Sequence, residues 1–306
     1  MILLYHLVFP DATPKDAWNA GLVLRFTDFK RQLLWLKRHF QFVSLDDYLD
    51  GLAQDPKFIR THFSLTFDDG YRQVFDLISP FLIEENIPAT FFVTTSQLED
   101  GHMLWFAYFN ALCSEKVYES IEIDGKTYPL TGSKLRLTAW QKLVDLARQS
   151  RNPTVFARFF VGKYPLPDDV AKKYEGISHA QIVSIGKSDL FEVGGHTHSH
   201  PYLDQLPVEE QLSQIQRNKM TLQQISGKSV SYFAYTGGIY NTGSISAVKD
   251  ADCKAAFAIT PRNLGPDWRF ELPRVDIYSP SLFKFKIKAL GIEKIVRRLL
   301  RKGGSG

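Results

Sequence analysis

Along the chain, short continuous apolar runs alternate with stretches whose apolar residues recur at helical spacing. Residues 1–8, 62–67 and 89–94 are rich in aliphatic, aromatic and β-branched side chains and have the length of buried strands. Residues 26–40 instead place apolar side chains three and four positions apart, as one face of a helix requires. This alternation predicts βαβ units and therefore a parallel sheet or barrel of the α/β class.

Residues from about 101 to 187 interrupt the alternation. They contain the aromatic cluster that begins at Trp105, a hairpin pattern with Asp124-Gly125 at its turn, and several polar helical stretches. We expect a helical and hairpin insertion on one barrel domain, because the segment lacks the periodicity of a large independent core. The domain spans residues 1–280 and is followed by a basic tail, 281–306. Strands resume at residues 191–197, 231–236, 255–260 and 272–278.

Composition narrows the class of protein. Of 306 residues, 44% are hydrophobic and 23% are charged, which is typical of a globular fold. Two cysteines are too few for a disulfide framework or a cysteine-rich zinc ribbon, and a net charge of +4 is too mild to indicate nucleic acid. The first residues show no secretion signal, and no run of 18 apolar residues occurs. We therefore expect a cytoplasmic protein that does not bind nucleic acid.

Two adjacent carboxylates end the strand at 62–67, in the sequence Asp68-Asp69-Gly70. In α/β folds the carboxyl ends of the strands carry the active site. Neighbouring side chains on a strand point to opposite faces, so both carboxylates reach one site only if the chain turns there, which Gly70 permits. The pattern fits an N-cap of the next helix equally well.

Three of the eight histidines fall within five residues, at His196, His198 and His200. His196 and His200 are four residues apart, which on a helical turn would place both imidazoles on one side. Two histidines and a carboxylate form a common zinc site that keeps a position open for water. The pattern therefore predicts a metal site, and a histidine-rich loop that collects metal adventitiously is the alternative.

Together these motifs resemble the polysaccharide deacetylases, that is, carbohydrate esterase family 4 or the NodB-homology family. The resemblance rests on Thr66-Phe67-Asp68-Asp69-Gly70, on His196-Thr197-His198-Ser199-His200, and on the intervening strand at 89–93. It covers residues 3–276 apart from the insertion. The family implies a distorted (β/α) barrel, commonly of seven strands, and a metal-dependent N-deacetylase.

The resemblance also implies roles for individual residues. Asp69, His196 and His200 match the ligands of one divalent metal ion, with zinc as the first expectation and cobalt, nickel or manganese as alternatives. Asp68 matches the general base. The usual late acid histidine is missing, but Tyr5-His6 resembles the first strand of a circularly permuted branch that includes the poly-N-acetylglucosamine deacetylases. His6 is therefore predicted as the acid, with a core histidine as the alternative.

Two further segments resemble the family less closely. In Phe233-Ala234-Tyr235-Thr236-Gly237-Gly238, Gly237 replaces the aromatic residue whose backbone N–H usually binds the oxyanion. Gly237 keeps that N–H, although the segment could equally be a simple turn. Arg274, in Leu272-Pro273-Arg274, is predicted either to orient Asp68 or to form a surface ion pair.

The tail contains eight basic residues and one acid between positions 281 and 302. Its apolar residues fall broadly at helical spacing. A basic amphipathic helix is able to bind an anionic membrane surface, so we expect either peripheral contact at the inner face of the membrane through 284–302 or a helix packed on the barrel.

The leading interpretation is removal of an N-acetyl or other N-acyl group from an amino sugar. A cytoplasmic location favours a nucleotide- or lipid-linked intermediate of surface polysaccharide biosynthesis as the substrate. The alternatives are a sugar N-deformylase and a sugar-binding barrel without catalysis.

Overall fold

Seven parallel strands close into a barrel in this computed structural model, which describes residues 1–12, 23–100, 103–150, 152–259 and 267–292. Each strand pairs with the next in chain order, and the first pairs with both the second and the last, which closes the ring. The predicted α/β barrel is therefore confirmed. The strands are β1 (Ile2–Tyr5), β2 (His62–Phe67), β3 (Ala89–Val93), β4 (Phe191–Gly195), β5 (Tyr232–Ala234), β6 (Ala255–Ala258) and β7 (Leu272–Asp276).

Helices surround the barrel, and three short strand pairings lie outside it. Leu7–Phe9 pairs with Val23–Arg25, Gln41–Phe42 pairs with β2, and Ser120–Ile123 forms a hairpin with Lys126–Pro129. The α-helices of the described residues are Phe26–Lys37, Leu45–Gln54, Arg72–Glu84, Ser96–Asp100, Trp105–Ser114, Ser133–Gln149, Pro153–Lys163, Asp168–Ala171, His179–Lys187, Val208–Ser226, Thr242–Asp250 and Leu282–Ala289.

The segment between β3 and β4 has a hydrophobic cluster of its own. Trp105, Phe109, Leu143 and Phe160 are buried members of that cluster. Its hairpin turns at Asp124-Gly125 with φ values of 51° and 72°, the left-handed conformation that a two-residue hairpin turn requires. Residues from Val170 onward pack into the barrel core instead. The cluster is therefore separate from the barrel core, and Trp105 links it to the loop after β4 through a hydrogen bond to the His200 carbonyl oxygen.

The beginning of the tail packs on the barrel. In the helix Leu282–Ala289, Phe285 and Ala289 are buried, and Phe285 lies edge-on to Trp35 of the helix Phe26–Lys37. Phe283 on the same helix is 70% exposed. Residues 293–306 lie outside the described residues, so the predicted membrane contact through 284–302 stays a prediction. None of the helices in the described part of the chain is both long and apolar enough to cross a bilayer.

Protonation of Glu192 in β4 is coupled to folding. Burial, followed by the negative charge of Asp46, raises the pKa of this carboxyl group from 4.5 to about 7, although the Thr90 hydroxyl at 3.4 Å opposes the shift. The unfolded chain releases this proton near pH 4.5, whereas the folded chain releases it near pH 7. The stability that Glu192 contributes below pH 4.5 is therefore lost as the pH rises through about 7.

We expect the Glu192→Gln variant to be more stable than the parent at pH 8, by up to about 3 kcal/mol, and by much less at pH 5. Glutamine keeps the neutral state, so the cost of charging a buried carboxyl group disappears. Urea unfolding of the metal-free proteins at both pH values measures the difference. Glu84→Gln, at an exposed position, is the control. Equal stability differences at the two pH values would contradict the argument.

Candidate metal centre

The predicted site residues meet at one edge of the barrel, where the carboxyl ends of the strands lie. Asp68 and Asp69 follow β2, His196 follows β4, and His6 follows β1. Asp68, Asp69 and His196 are buried. A parallel barrel brings the carboxyl ends of its strands together, so residues far apart in the sequence become neighbours here.

Both aspartates face this edge because the backbone turns after Asp68. Asp69 and Gly70 have φ values of 75° and 78°, a conformation that costs a non-glycine residue energy. The Gln97 amide stabilises the turn by donating hydrogen bonds to the carbonyl oxygens of Asp69 at 2.8 Å and Gly70 at 3.1 Å. The next helix begins at Arg72 without a side-chain cap, so the N-cap interpretation of the two aspartates was wrong.

Asp69, His196 and His200 form a cluster whose donor atoms suit a metal ion. Asp69 Oδ1 lies 3.5 Å from Nε2 of each histidine, and the three ligand atoms lie within 4.8 Å of one another. Two ligands of a tetrahedral zinc ion are separated by about 3.4 Å. His196 Nδ1 donates a hydrogen bond to the Ala234 carbonyl oxygen at 2.7 Å, which leaves the Nε2 lone pair toward Asp69. The residues therefore fit a divalent metal.

The charges of the cluster favour the same conclusion. Burial by itself would raise the pKa of Asp69, but the close contacts with His196 and His200 outweigh it and hold that pKa well below its usual range. Burial lowers the pKa of His200. Burial would lower the pKa of His196 too, but the negative charges of Asp68 and Asp69 outweigh it and raise that pKa, so a metal ion would displace a proton from this ring on binding.

The loop that carries the two histidines is not a helical turn. Thr197 and His200 have φ values of 63° and 55°, so the expectation of helical i, i+4 geometry was wrong, although both imidazoles do face Asp69. The side chain of Asn218, fully buried in the helix Val208–Ser226, fixes the loop instead. It accepts a hydrogen bond from the His196 backbone N–H at 3.1 Å and donates to the Thr197 carbonyl oxygen at 2.6 Å.

Sequence reasoning missed Asn218. A signal was present, since Asn218 occupies the same helical face as the buried residues Ile215 and Leu222 and is a polar member of that stripe, as are Gln211 and Ser226. Asn218 in turn restricts the preceding Gly195. A Cβ on Gly195 would lie 2.8 Å from Asn218 Oδ1, closer than contacts of Cβ atoms allow.

Arg274 forms a bidentate pair with Asp68. Its Nη1 and Nη2 atoms donate to Oδ1 and Oδ2 of Asp68, each at 2.6 Å. Arg274 is 3% exposed and Asp68 is 4% exposed, so this is a buried pair and not a surface one. Burial would raise the pKa of Asp68, but the Arg274 guanidinium outweighs it and keeps that pKa below its usual value. Asp68 is thus ionised and fixed in orientation.

His6 lies at the same barrel edge and faces a partner that sequence reasoning did not single out. Its Nδ1 is 3.7 Å from Oδ1 of Asp276, at the end of β7, and neither atom has a hydrogen-bond partner within the described residues. The side chain is 15% exposed. Tyr5 of β1 pairs with Phe67 of β2, so His6 and Asp68 leave their strands side by side at this edge.

Gly237 lies in an exposed turn after β5, with a φ value of 61°. A Cβ at this position would lie 3.1 Å from the Tyr202 ring, which packs under the Arg148 guanidinium at 4.8 Å. Tyr202 follows the loop of residues 196–200 and supplies an aromatic surface beside Gly237, which has no side chain. The role of the Gly237 backbone N–H toward an oxyanion stays a prediction.

Comparisons with known proteins agree with this architecture. The profile of the family described as polysaccharide deacetylase matches residues 56–256. No curated protein sequence matches the chain. Solved structures that share the fold include the Streptococcus pyogenes deacetylase PplD in complex with acetate, which is 17% identical with a TM-score of 0.60 over 92% of this chain and 95% of that chain. IcaB from Ammonifex degensii is 18% identical, with a TM-score of 0.57 over 94% and 99% of the two chains.

Proposed function

The chain belongs to the polysaccharide deacetylase family, and we propose that it is a metal-dependent hydrolase that removes an N-acetyl or other N-acyl group from an amino sugar. The observation that carries the proposal is the convergence of a buried three-residue metal-ligand cluster with an arginine-bound carboxylate and a histidine at one barrel edge. The residues concerned are Asp69, His196 and His200, then Asp68 with Arg274, and His6 with Asp276.

We propose that zinc occupies the cluster, with cobalt, nickel or manganese as alternatives. Two imidazoles and one carboxylate are a donor set that zinc accepts in catalytic sites while a further position stays free. When bound, the ion supplies Lewis acidity, which lowers the pKa of water and polarises an acyl carbonyl.

The chain's own side chains then supply the proton transfers of amide hydrolysis. Asp68, held ionised by Arg274, accepts the proton of the attacking water. When the amide C–N bond breaks, the departing amine needs a proton, and His6 donates it while Asp276 holds the Nδ1 side of the ring. The backbone N–H of Gly237 stabilises the oxyanion. The products are a carboxylate and an amino sugar.

The proposed substrate is a nucleotide- or lipid-linked N-acyl amino sugar from surface polysaccharide biosynthesis. We also propose a cytoplasmic location, where a finished extracellular polymer would be out of reach. The basic tail supports this choice of substrate, since Lys284, Lys286 and Lys288 begin a cationic segment suited to an anionic membrane surface.

Mass spectrometry of a panel of N-acetyl and N-formyl amino sugars, linked to nucleotide or to lipid, tests the proposal with zinc-loaded protein. We expect one substrate class to lose its acyl mass. Loss of formyl alone would assign a deformylase, and binding without any loss would indicate a sugar-binding barrel.

The variant His196→Ala tests whether zinc binds at this cluster and whether acyl removal depends on it. It removes one of three protein ligands, so we expect stoichiometric zinc to disappear in elemental analysis and acyl loss to fall to background. The variant should stay folded, since the site is at the strand ends. Unchanged zinc content in this variant would show that the metal lies elsewhere.

A further inference from the structure

The two imidazoles of the metal cluster are held in different ways. His196 Nδ1 donates to a backbone carbonyl oxygen at 2.7 Å, whereas His200 Nδ1 is buried without a hydrogen-bond partner among the described residues. Histidines that bind metals are normally oriented by a hydrogen bond from the second ring nitrogen. Some other contact must therefore fix the orientation of the His200 ring.

Phe106 makes that contact. Its ring centroid lies 4.3 Å from the centroid of the His200 ring, with an angle of 43° between the planes. The torsion that turns an imidazole about its bond to Cβ is broad, so a ring without a hydrogen bond is free to rotate unless a neighbour blocks it. Phe106 is only partly buried and packs against both hydrophobic clusters, and its ring lies closer to the His200 ring than to the Trp105 ring, which is 5.4 Å away.

Trp105, the residue before Phe106, holds the backbone of the same histidine. Its indole N–H donates to the His200 carbonyl oxygen at 3.0 Å, while the His200 N–H donates to the Thr197 hydroxyl at 3.1 Å. His200 has a φ value of 55°, a conformation that persists only where neighbours enforce it. Both backbone polar groups of this strained residue are therefore tied down.

We propose that the first turn of the insertion helix Trp105–Ser114 positions the metal ligand His200, with Phe106 orienting its imidazole and Trp105 anchoring its backbone. This inference rests on the proposed metal centre. It means that the insertion contributes to the metal site, because Trp105, 95 positions earlier in the chain, then sets the geometry of the ligand His200. Phe106 and Trp105 are positioning residues, since they act through His200.

The test measures zinc affinity by chelator competition in the intact protein. We expect Phe106→Ala to weaken zinc binding by roughly 10- to 100-fold, the usual effect of losing a group that orients a metal ligand. Phe106→Tyr keeps the ring and should restore affinity to near the parent value. Phe159→Ala is the matched control, since Phe159 lies in the same insertion but is 71% exposed.

Two further readouts separate positioning from general damage. The absorption spectrum of the cobalt-loaded protein should change in Phe106→Ala, because the ligand geometry relaxes, while thermal unfolding of the metal-free variant stays close to that of Phe159→Ala. If Phe106→Ala does not fold, the variant Trp105→Phe tests the positioning role instead, since it removes the indole donor and keeps an aromatic ring. We expect it to weaken zinc binding several-fold.

The outcomes distinguish this inference from the proposed function. If the parent and His196→Ala hold the same amount of zinc, the metal centre itself is misassigned. Suppose instead that the parent binds zinc and His196→Ala does not. If Phe106→Ala then matches the parent in zinc affinity and cobalt spectrum, only the positioning role is overturned. Trp105→Phe takes the place of Phe106→Ala in this comparison if Phe106→Ala does not fold.

Discussion

Asp68→Asn should lower the rate of deacylation by roughly 10²- to 10⁴-fold while the zinc content stays at that of the parent. The amide cannot accept the proton of the attacking water, and Asp68 is not one of the three clustered ligands. Asp69→Asn is the matched comparison, because it removes a ligand oxygen one residue away and should lower zinc content as well. If Asp68→Asn lost zinc as completely as Asp69→Asn, the division of labour between the two aspartates would be wrong.

The bidentate contact adds a second consequence to the same substitution. Arg274 donates to both oxygens of Asp68, so the asparagine would turn an N–H toward the buried guanidinium. Breaking one side of a buried ion pair costs about 3 kcal/mol or more. Activity should therefore be measured well below the unfolding temperature. The double variant Asp68→Asn/Arg274→Gln should recover part of the stability and none of the activity.

The parts of this site that sequence reasoning predicted are those carried by short segments. The two aspartates and the glycine turn lie within three residues, and His196 and His200 lie within five. Local spacing was enough to predict a metal site at the histidines, and the family resemblance of the two motifs assigned Asp69 as the third ligand. The local conformation was harder to predict. The histidine loop takes left-handed backbone angles at Thr197 and His200, because contacts from outside the loop enforce them.

The residues that sequence reasoning missed act across long separations. Asn218 reaches back 22 residues to His196, Trp105 reaches forward 95 to His200, and Asp276 meets His6 only because the first and last strands are neighbours in the closed ring. No local pattern encodes such pairs. The alternation of strands and helices predicts the barrel, and only the closed barrel determines which strand ends face each other.

The pairing of His6 with Asp276 leads to a prediction about the leaving group. An amide nitrogen must gain a proton before the C–N bond breaks, whereas a phenolate of low basicity leaves without one. We therefore expect His6→Ala to lower kcat/KM on the N-acyl sugar by roughly 10²- to 10³-fold and to change hydrolysis of an aryl acetate probe little. Asp68→Asn should impair both substrates, because water must lose its proton in either reaction.

Asp276→Asn should reproduce the His6→Ala pattern to a smaller degree. In the parent, His6 Nδ1 lies 3.7 Å from Asp276 Oδ1. The asparagine keeps an oxygen near Nδ1 but removes the negative charge that faces the ring. The readout is the ratio of kcat/KM for the amide to that for the ester, compared across the parent, both variants and His39→Ala, an exposed histidine that serves as the control. Loss of a general acid changes this ratio, because the amine leaving group needs a proton from the acid and the phenolate does not. A histidine that merely supports the barrel or binds the sugar lowers both rates alike, and an unchanged ratio in His6→Ala would therefore remove His6 from the chemistry.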